Sequence, residues 1–182
     1  MKRRDKMSIS DTLQFKMISF MHGTLYRLFV DPMKLLHDAG LELGQTVLEV
    51  GFGPAFFTLP AARIVGRQGR VYAIDINRVA IEHLRQRIKT RSIENIEVRM
   101  VDATDTKLPR SCIDIAFLFG VIHAFDDIAS VMQEMHRVVK DGGILSIQKG
   151  RWSKEKTVSA ATRNGLFSFR SGKGRVLRFR KV

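Results

Sequence analysis

The sequence predicts an α/β fold, a mostly parallel sheet with helices on both faces, closed by an antiparallel C-terminal hairpin. Three observations carry this expectation. β-rich apolar runs alternate with segments of helical periodicity, a glycine turn directly follows the first run, and the chain ends in two alternating apolar and polar runs around a second glycine turn.

Five runs read as strands: Thr46 to Val50, Arg70 to Ile74, Ile96 to Met100, Ile113 to Phe119 and Gly143 to Gln148. Between them, Phe56 to Val65, Arg78 to Thr90 and Ile128 to Val139 carry apolar residues at three- and four-residue spacing, the mark of amphipathic helices. Gly66 is the expected stop of the first helix, Asn77 the N-cap of the second, and Asp126 or Asp127 the N-cap of the third. Leu166 to Arg170 and Arg175 to Arg180 flank Ser171-Gly172-Lys173-Gly174, which reads as the hairpin turn. Alternation then sends Phe167, Phe169, Leu177 and Phe179 toward the core and Arg170, Arg178 and Arg180 toward water.

With 182 residues, 45% hydrophobic and 27% charged, the chain is expected to form one domain: N-terminal helices over 1–45, a binding core over 46–150, and a basic helix and hairpin over 151–182. No apolar run reaches the roughly 20 residues of a membrane span. The stretch Phe15 to Val30 is broken by Lys16, His22 and Arg27, and the basic start Met1 to Lys6 is not followed by a continuous apolar region. A cytoplasmic location is the resulting expectation. The single cysteine, Cys112, excludes a disulfide within the chain and a cysteine-based metal cluster, and reads as a small apolar residue before a strand, with a reactive thiol as the alternative. The five histidines show no zinc-like spacing, so no metal is expected. The net charge of +13 is unevenly placed: residues 149–182 hold 11 basic residues and one acidic. That concentration suggests either an anionic partner or a solvated face.

The most informative segment is Glu49-Val50-Gly51-Phe52-Gly53-Pro54-Ala55, a turn between the first strand and first helix, with Asp75 closing the second strand 24 positions after Gly51. Gly51 and Gly53 permit backbone angles and a close ligand approach that a β-carbon would block, and an acid at Asp75 is placed to accept both hydroxyls of a ribose. A nucleoside is therefore the expected ligand. A dinucleotide is not, because Phe56 stands where the third glycine of G-x-G-x-x-G belongs and Pro54 removes a backbone donor that a pyrophosphate would use. Glu49 repels phosphate and favours a cationic ligand.

Glu49-x-Gly51-x-Gly53 resembles motif I of class I S-adenosylmethionine-dependent methyltransferases, and Asp75 matches their acidic motif II. Val101-Asp102-Ala103, the run Ile113 to Phe119, and Val138-Val139-Lys140-Asp141-Gly142-Gly143-Ile144-Leu145 are similar, in the same order, to the later motifs of that family. His22-Gly23-Thr24-Leu25-Tyr26 through Leu41 resembles the N-terminal helices of the ubiquinone/menaquinone-biosynthesis-like branch, methyltransferase type 11. The resemblance implies a Rossmann-like seven-stranded sheet whose last strand is antiparallel, and S-adenosyl-L-methionine as cofactor. It also implies site roles. Glu49 would hold the methionine end, directly or through water, with Gly51, Phe52 and Gly53 passing close beneath it; Asp75 would bind the ribose and Ile76 would pack on the adenine. Asp102 and Ala103 would meet the adenine amino edge, and Phe119 and Gly120 would contact the cofactor near the transferred methyl.

His123, just after the fourth strand, is the candidate general base, with packing or capping as the alternative. His22, Tyr26 and His37 belong to N-terminal helices placed to cover the pocket, with the segment Phe20 to Tyr26 as a lid. Phe119-Gly120-Val121-Ile122 lacks the Asn/Asp-Pro-Pro-Tyr loop of adenine and glutamine methyltransferases, and the Pro-Cys nucleophile of cytosine C5 enzymes is also missing. The connection from Gly150 to Gly165 leaves little room for substrate-binding insertions. A small-molecule acceptor is the first expectation; RNA or another polyanion, drawn by the basic C-terminal region, is the alternative. A non-catalytic nucleoside-binding or interaction module is the third reading.

Overall fold

The computed structural model describes residues 30–182. The elements are α1 (Pro32–Ala39), β1 (Thr46–Val50), α2 (Thr58–Val65), β2 (Arg70–Asp75), α3 (Arg78–Thr90), β3 (Ile96–Met100) and β4 (Ile113–Phe119), followed by α4 (Ile128–Val138), β5 (Val139–Gln148), α5 (Lys154–Thr162), β6 (Phe167–Lys173) and β7 (Val176–Lys181). The seven strands form one sheet in the order β3-β2-β1-β4-β5-β7-β6. β1 to β5 pair in parallel, whereas β7 is antiparallel to both β5 and β6. The expected Rossmann-like architecture, including the antiparallel last strand, is the one observed.

Local chemistry sets the element ends. Asp31 caps α1 by accepting from the Met33 and Lys34 amides, Pro32 fills the first turn where no donor is needed, and Gly40 at φ 95 ends the helix. The Asn77 side chain accepts from Val79 and Ala80 at the start of α3, and Asp127 accepts from Ser130 at the start of α4. Gly66 ends α2.

Successive strand residues point to opposite faces, so Val47 and Phe117 enter one core and Leu48 and Leu118 the other. Leu36, Phe57, Ala61 and Leu84 bring α1, α2 and α3 to the first face; Met132, Met135 and Ala161 bring α4 and α5 to the second. Two buried polar groups tie elements together. Glu134 accepts from the Thr106 amide at 2.8 Å and the Thr106 hydroxyl at 2.6 Å while paired with Arg137, and the Ser146 hydroxyl donates to the Ala39 carbonyl at 2.8 Å.

Several boundaries differ from the expectation. α2 starts at Thr58 rather than Phe56 because the glycine turn extends further: Ala55 has φ 57 and its amide donates to the Phe52 carbonyl. β2 gains Asp75, and β5 begins at Val139, where an irregular register against β4 accommodates Lys140 to Gly143. Ser171 to Lys173 belong to β6, not to the turn, which shortens to Gly174-Arg175. Phe169 is 38% exposed instead of buried. It lies on the edge strand, next to a bulge at Arg170, and nothing in the sheet flanks it on the outer side. Arg178 does not face open water either; its guanidinium lies against Gly40, where a β-carbon would come within 2.7 Å of Nη2. The expected roles of His22, Tyr26 and the lid segment Phe20 to Tyr26 lie outside the described residues, whereas His37 is exposed on α1. Among the described residues no helix is long and apolar enough to cross a membrane.

Candidate functional site

The carboxyl ends of β1, β2, β3 and β4 surround a cleft of about 550 Å³. Gly51, at φ 69, donates its amide to the Ile74 carbonyl at 2.8 Å and packs so closely on Val121 that an added β-carbon would lie 2.6 Å from Cγ2. Gly53, at φ 50, donates its amide to Asp75 Oδ2 at 2.8 Å and has open space where a β-carbon would stand. Asp75 Oδ1 accepts from the Asn77 amide, also at 2.8 Å. One carboxylate therefore clamps the glycine turn to the start of α3. Each of its oxygens carries a further lone pair for a ligand hydroxyl, since a carboxylate has about four acceptor positions.

Gly51, Asp75, Ile76, Asp102 and Ala103 all line this cleft, so five of the sequence-predicted residues meet at one place. Ile76 is 72% exposed, an apolar surface suited to a flat base. Asp102 accepts from the Thr104 amide at 2.8 Å and hydroxyl at 2.7 Å; these bonds hold its carboxyl below the usual range.

Glu49 is buried, 3% exposed, at the end of β1, and does not itself line the cleft. Its Oε2 has no hydrogen-bond partner. Burial, reinforced by the negative charge of Asp75 and opposed by the Thr58 hydroxyl, pushes its carboxyl up to about 8. The neutral acid is therefore the main form of Glu49 near pH 7, and a cation placed beside it would favour the ionised form. Four further carboxylates, Asp75, Asp102, Asp126 and Asp127, line the cleft, so its field repels phosphate and favours positive charge. S-adenosyl-L-methionine, with an ammonium, a sulfonium and a ribose, fits this donor and acceptor set: Glu49 would take the ammonium, Asp75 the ribose, and Ile76, Asp102 and Ala103 the base.

The remaining expected residues are placed differently. The Phe52 side chain is buried in the first core, away from the cleft, leaving only its backbone near the turn. Phe119 is 6% exposed and stacks edge-on against Phe57 with ring centroids 5.1 Å apart. Gly120, at φ 70, has open space beside it. His123 is exposed on the short 3₁₀ turn Ile122–Ala124; Val121 and Ala124 line the cleft but His123 does not. Sequence reasoning missed Val121, Thr104 and Phe125 as lining residues, none of which carries a motif. It read Asp127 as a helix cap, which it is, but not as part of the cleft wall. The Cys112 thiol, partly buried, donates to the Pro109 carbonyl at 3.1 Å, and burial pushes its pKa up, which disfavours the thiolate. Among the described residues no group of histidine, cysteine or carboxylate side chains is arranged to hold a metal.

Comparison with known proteins agrees with this fold. The chain is 30% identical over 110 residues to the demethylmenaquinone methyltransferase of Geobacillus stearothermophilus, covering 60% of this chain and 47% of that protein. It is 27% identical over 142 residues to the Listeria welshimeri protein of the same name, covering 78% and 58%. The chain thus spans about half the length of the curated relatives it matches. The crystal structure of a SAM dependent methyltransferase from Aquifex aeolicus superposes with a TM-score of 0.79 at 23% identity, over 93% of this chain and 98% of that one. The profile of the methyltransferase domain family matches residues 41–176, from before β1 into β7, and this chain belongs to that family.

Proposed function

We propose that the protein is an S-adenosyl-L-methionine-dependent methyltransferase acting on a small-molecule acceptor. The observation that carries the reading is Glu49: a buried carboxylate with an unpartnered oxygen, set behind a glycine turn that Asp75 clamps. The cofactor supplies a methyl group already activated on a sulfonium, so the chain's own task is to bind and orient, which is where proximity catalysis resides. Glu49 anchors the ammonium end, Asp75 fixes the ribose, and Ile76, Asp102 and Ala103 hold the base. With the cofactor along β1 to β3, the acceptor approaches over the ends of β4 and β5. His123 stands on that side, at the rim, where an acceptor rather than the cofactor would meet it.

Calorimetry with S-adenosylhomocysteine and with NAD tests the cofactor half; binding of NAD without S-adenosylhomocysteine would end the reading. Labelled S-adenosylmethionine offered with quinone precursors, small amines and RNA in parallel tests the acceptor half. Cofactor binding with no transfer to any class would instead mark a non-catalytic module.

One observation favours RNA or another polyanion as acceptor. The exposed Phe169 ring lies under the Lys154 ammonium at 5.2 Å, and Lys156 lies 4.3 Å from the Trp152 ring, so aromatics and cations do interleave on the C-terminal face. A steep loss of RNA binding with rising salt supports this reading, and transfer to a small molecule with no RNA binding removes it.

A further inference from the structure

A second cavity, of about 210 Å³, lies between α4 and α5. Ile128, Ala129 and Met132 of α4 line it, together with Ala160, Leu166 and Trp152, whose ring centroid lies 4.3 Å from the Lys156 ammonium. The charged groups lining it are Lys156 and Arg163, two turns apart on α5 and just beyond it; no carboxylate lines it. Among the described residues neither cation is in an ion pair, and the carboxylate next to Lys156 in sequence, Glu155, is exposed and bonded within its own turn to its backbone amide and to Ser153. A mostly apolar pocket with an indole and two cations in no ion pair has a definite complement: a flat apolar body carrying one negative charge.

Size narrows the complement. An engineered apolar cavity of about 150 Å³ accommodates benzene, and drug-sized ligands need about 300 Å³ or more, so this cavity suits a single substituted ring. We propose that the pocket between α4 and α5 is a binding site for a small aromatic carboxylate, its ring between Trp152 and Met132 and its charge against Lys156 and Arg163. The site also touches the cleft through one helical turn. Asp127 caps α4 and lines the cofactor cleft, while Ile128, the next residue, lines this pocket. The proposal stands independently of the acceptor and of methyl transfer.

Trp152 is the only tryptophan in the chain, so its indole resonance and fluorescence report on this pocket alone. The probes are benzoate, benzamide and benzylammonium, nearly equal in shape and different in charge. Benzoate is expected to shift the Trp152 signals saturably, benzamide to bind about tenfold or more weakly, and benzylammonium weaker still, tenfold being what a modest charge-assisted contact supplies. Lys156→Gln combined with Arg163→Gln should bring benzoate down to the level of benzamide, and because both residues are at the rim, unchanged thermal unfolding shows that the fold is kept. Ala160→Leu, which fills the chamber, should abolish binding of both. Equal affinity for benzoate and benzamide, full benzoate binding in the double variant, or no Trp152 response to any probe overturns the proposal. S-adenosylhomocysteine binding, measured on the same samples, separates that failure from a failure of the cofactor reading.

Discussion

Cofactor uptake should expel a proton, and Glu49 should be its source. With its carboxyl pushed from an ordinary 4.5 to about 8, Glu49 is about nine-tenths protonated at pH 7 in the ligand-free protein. An ammonium placed against Oε2 favours the ionised form, so binding discharges the proton. The same shift affects stability. A carboxyl whose folded pKa is raised stabilises the fold fully below its unfolded pKa, and that contribution is lost as pH rises from about 4.5 through about 8. At one pKa unit per about 1.4 kcal/mol, the loss reaches roughly 3 kcal/mol at pH 7. The assay is calorimetry of S-adenosylhomocysteine binding at pH 7 in two buffers of different ionisation enthalpy, which yields the protons exchanged. About 0.9 proton released per site is expected, none for Glu49→Gln. The Gln variant should bind the ligand less tightly, yet resist chemical denaturation better at pH 7 and no better near pH 4.5. An unaltered proton count in Glu49→Gln, or no release by the wild-type protein, refutes the assignment of Glu49 to the ammonium.

Three further outcomes follow from the site. Asp75→Ala should weaken S-adenosylhomocysteine binding by about 1.5–3 kcal/mol, the range for hydrogen bonds to a charged group, and unchanged affinity by calorimetry would remove Asp75 from the ribose position. Gly51→Ala forces a β-carbon to within 2.6 Å of Val121 Cγ2 at a positive φ; a stability loss of at least about 1–2 kcal/mol should appear in urea unfolding, together with weakened ligand binding. If His123 is the general base, His123→Ala should lower turnover on the true acceptor by about 100-fold or more with cofactor affinity intact, and full turnover would leave it a rim residue.

Much of this molecule is legible before any coordinates are known, and what is legible follows from periodicity. β1, β3, β4 and α3 have the expected bounds because their ends coincide with local sequence signals: an asparagine cap at Asn77, and apolar runs that end at Gly51 after β1, just before Asp102 after β3 and at Gly120 after β4. The ends that moved are set by backbone geometry instead. Nothing in Phe56-Phe57 says that the preceding turn will last until Thr58, and the extension of β5 to Val139 depends on a register slip against β4. Phe169 reads as a core residue by alternation, but exposure of an edge strand depends on what covers it, which is a tertiary property. The site divides likewise. Asp75 and the glycines are motif residues, whereas Val121 and Phe125 reach the cleft only because the chain leaves β4 through a positive-φ Gly120 and a 3₁₀ turn.

β7 lies between β5 and β6, so the strand that comes last along the sheet-forming sequence is an interior one. This imposes an order of assembly. β6 has no strand to pair with until residues 176–181 have been made, and until then the free side of β5 presents open backbone donors and acceptors. A nascent chain paused at the Gly174-Arg175 turn would therefore hold five paired strands with an open β5 edge, and a loose aromatic strand carrying Phe167 and Phe169. That interval is the one in which a stray strand from another copy would be captured most readily. Clearing the turn quickly, or shielding β5 during synthesis, shortens that interval.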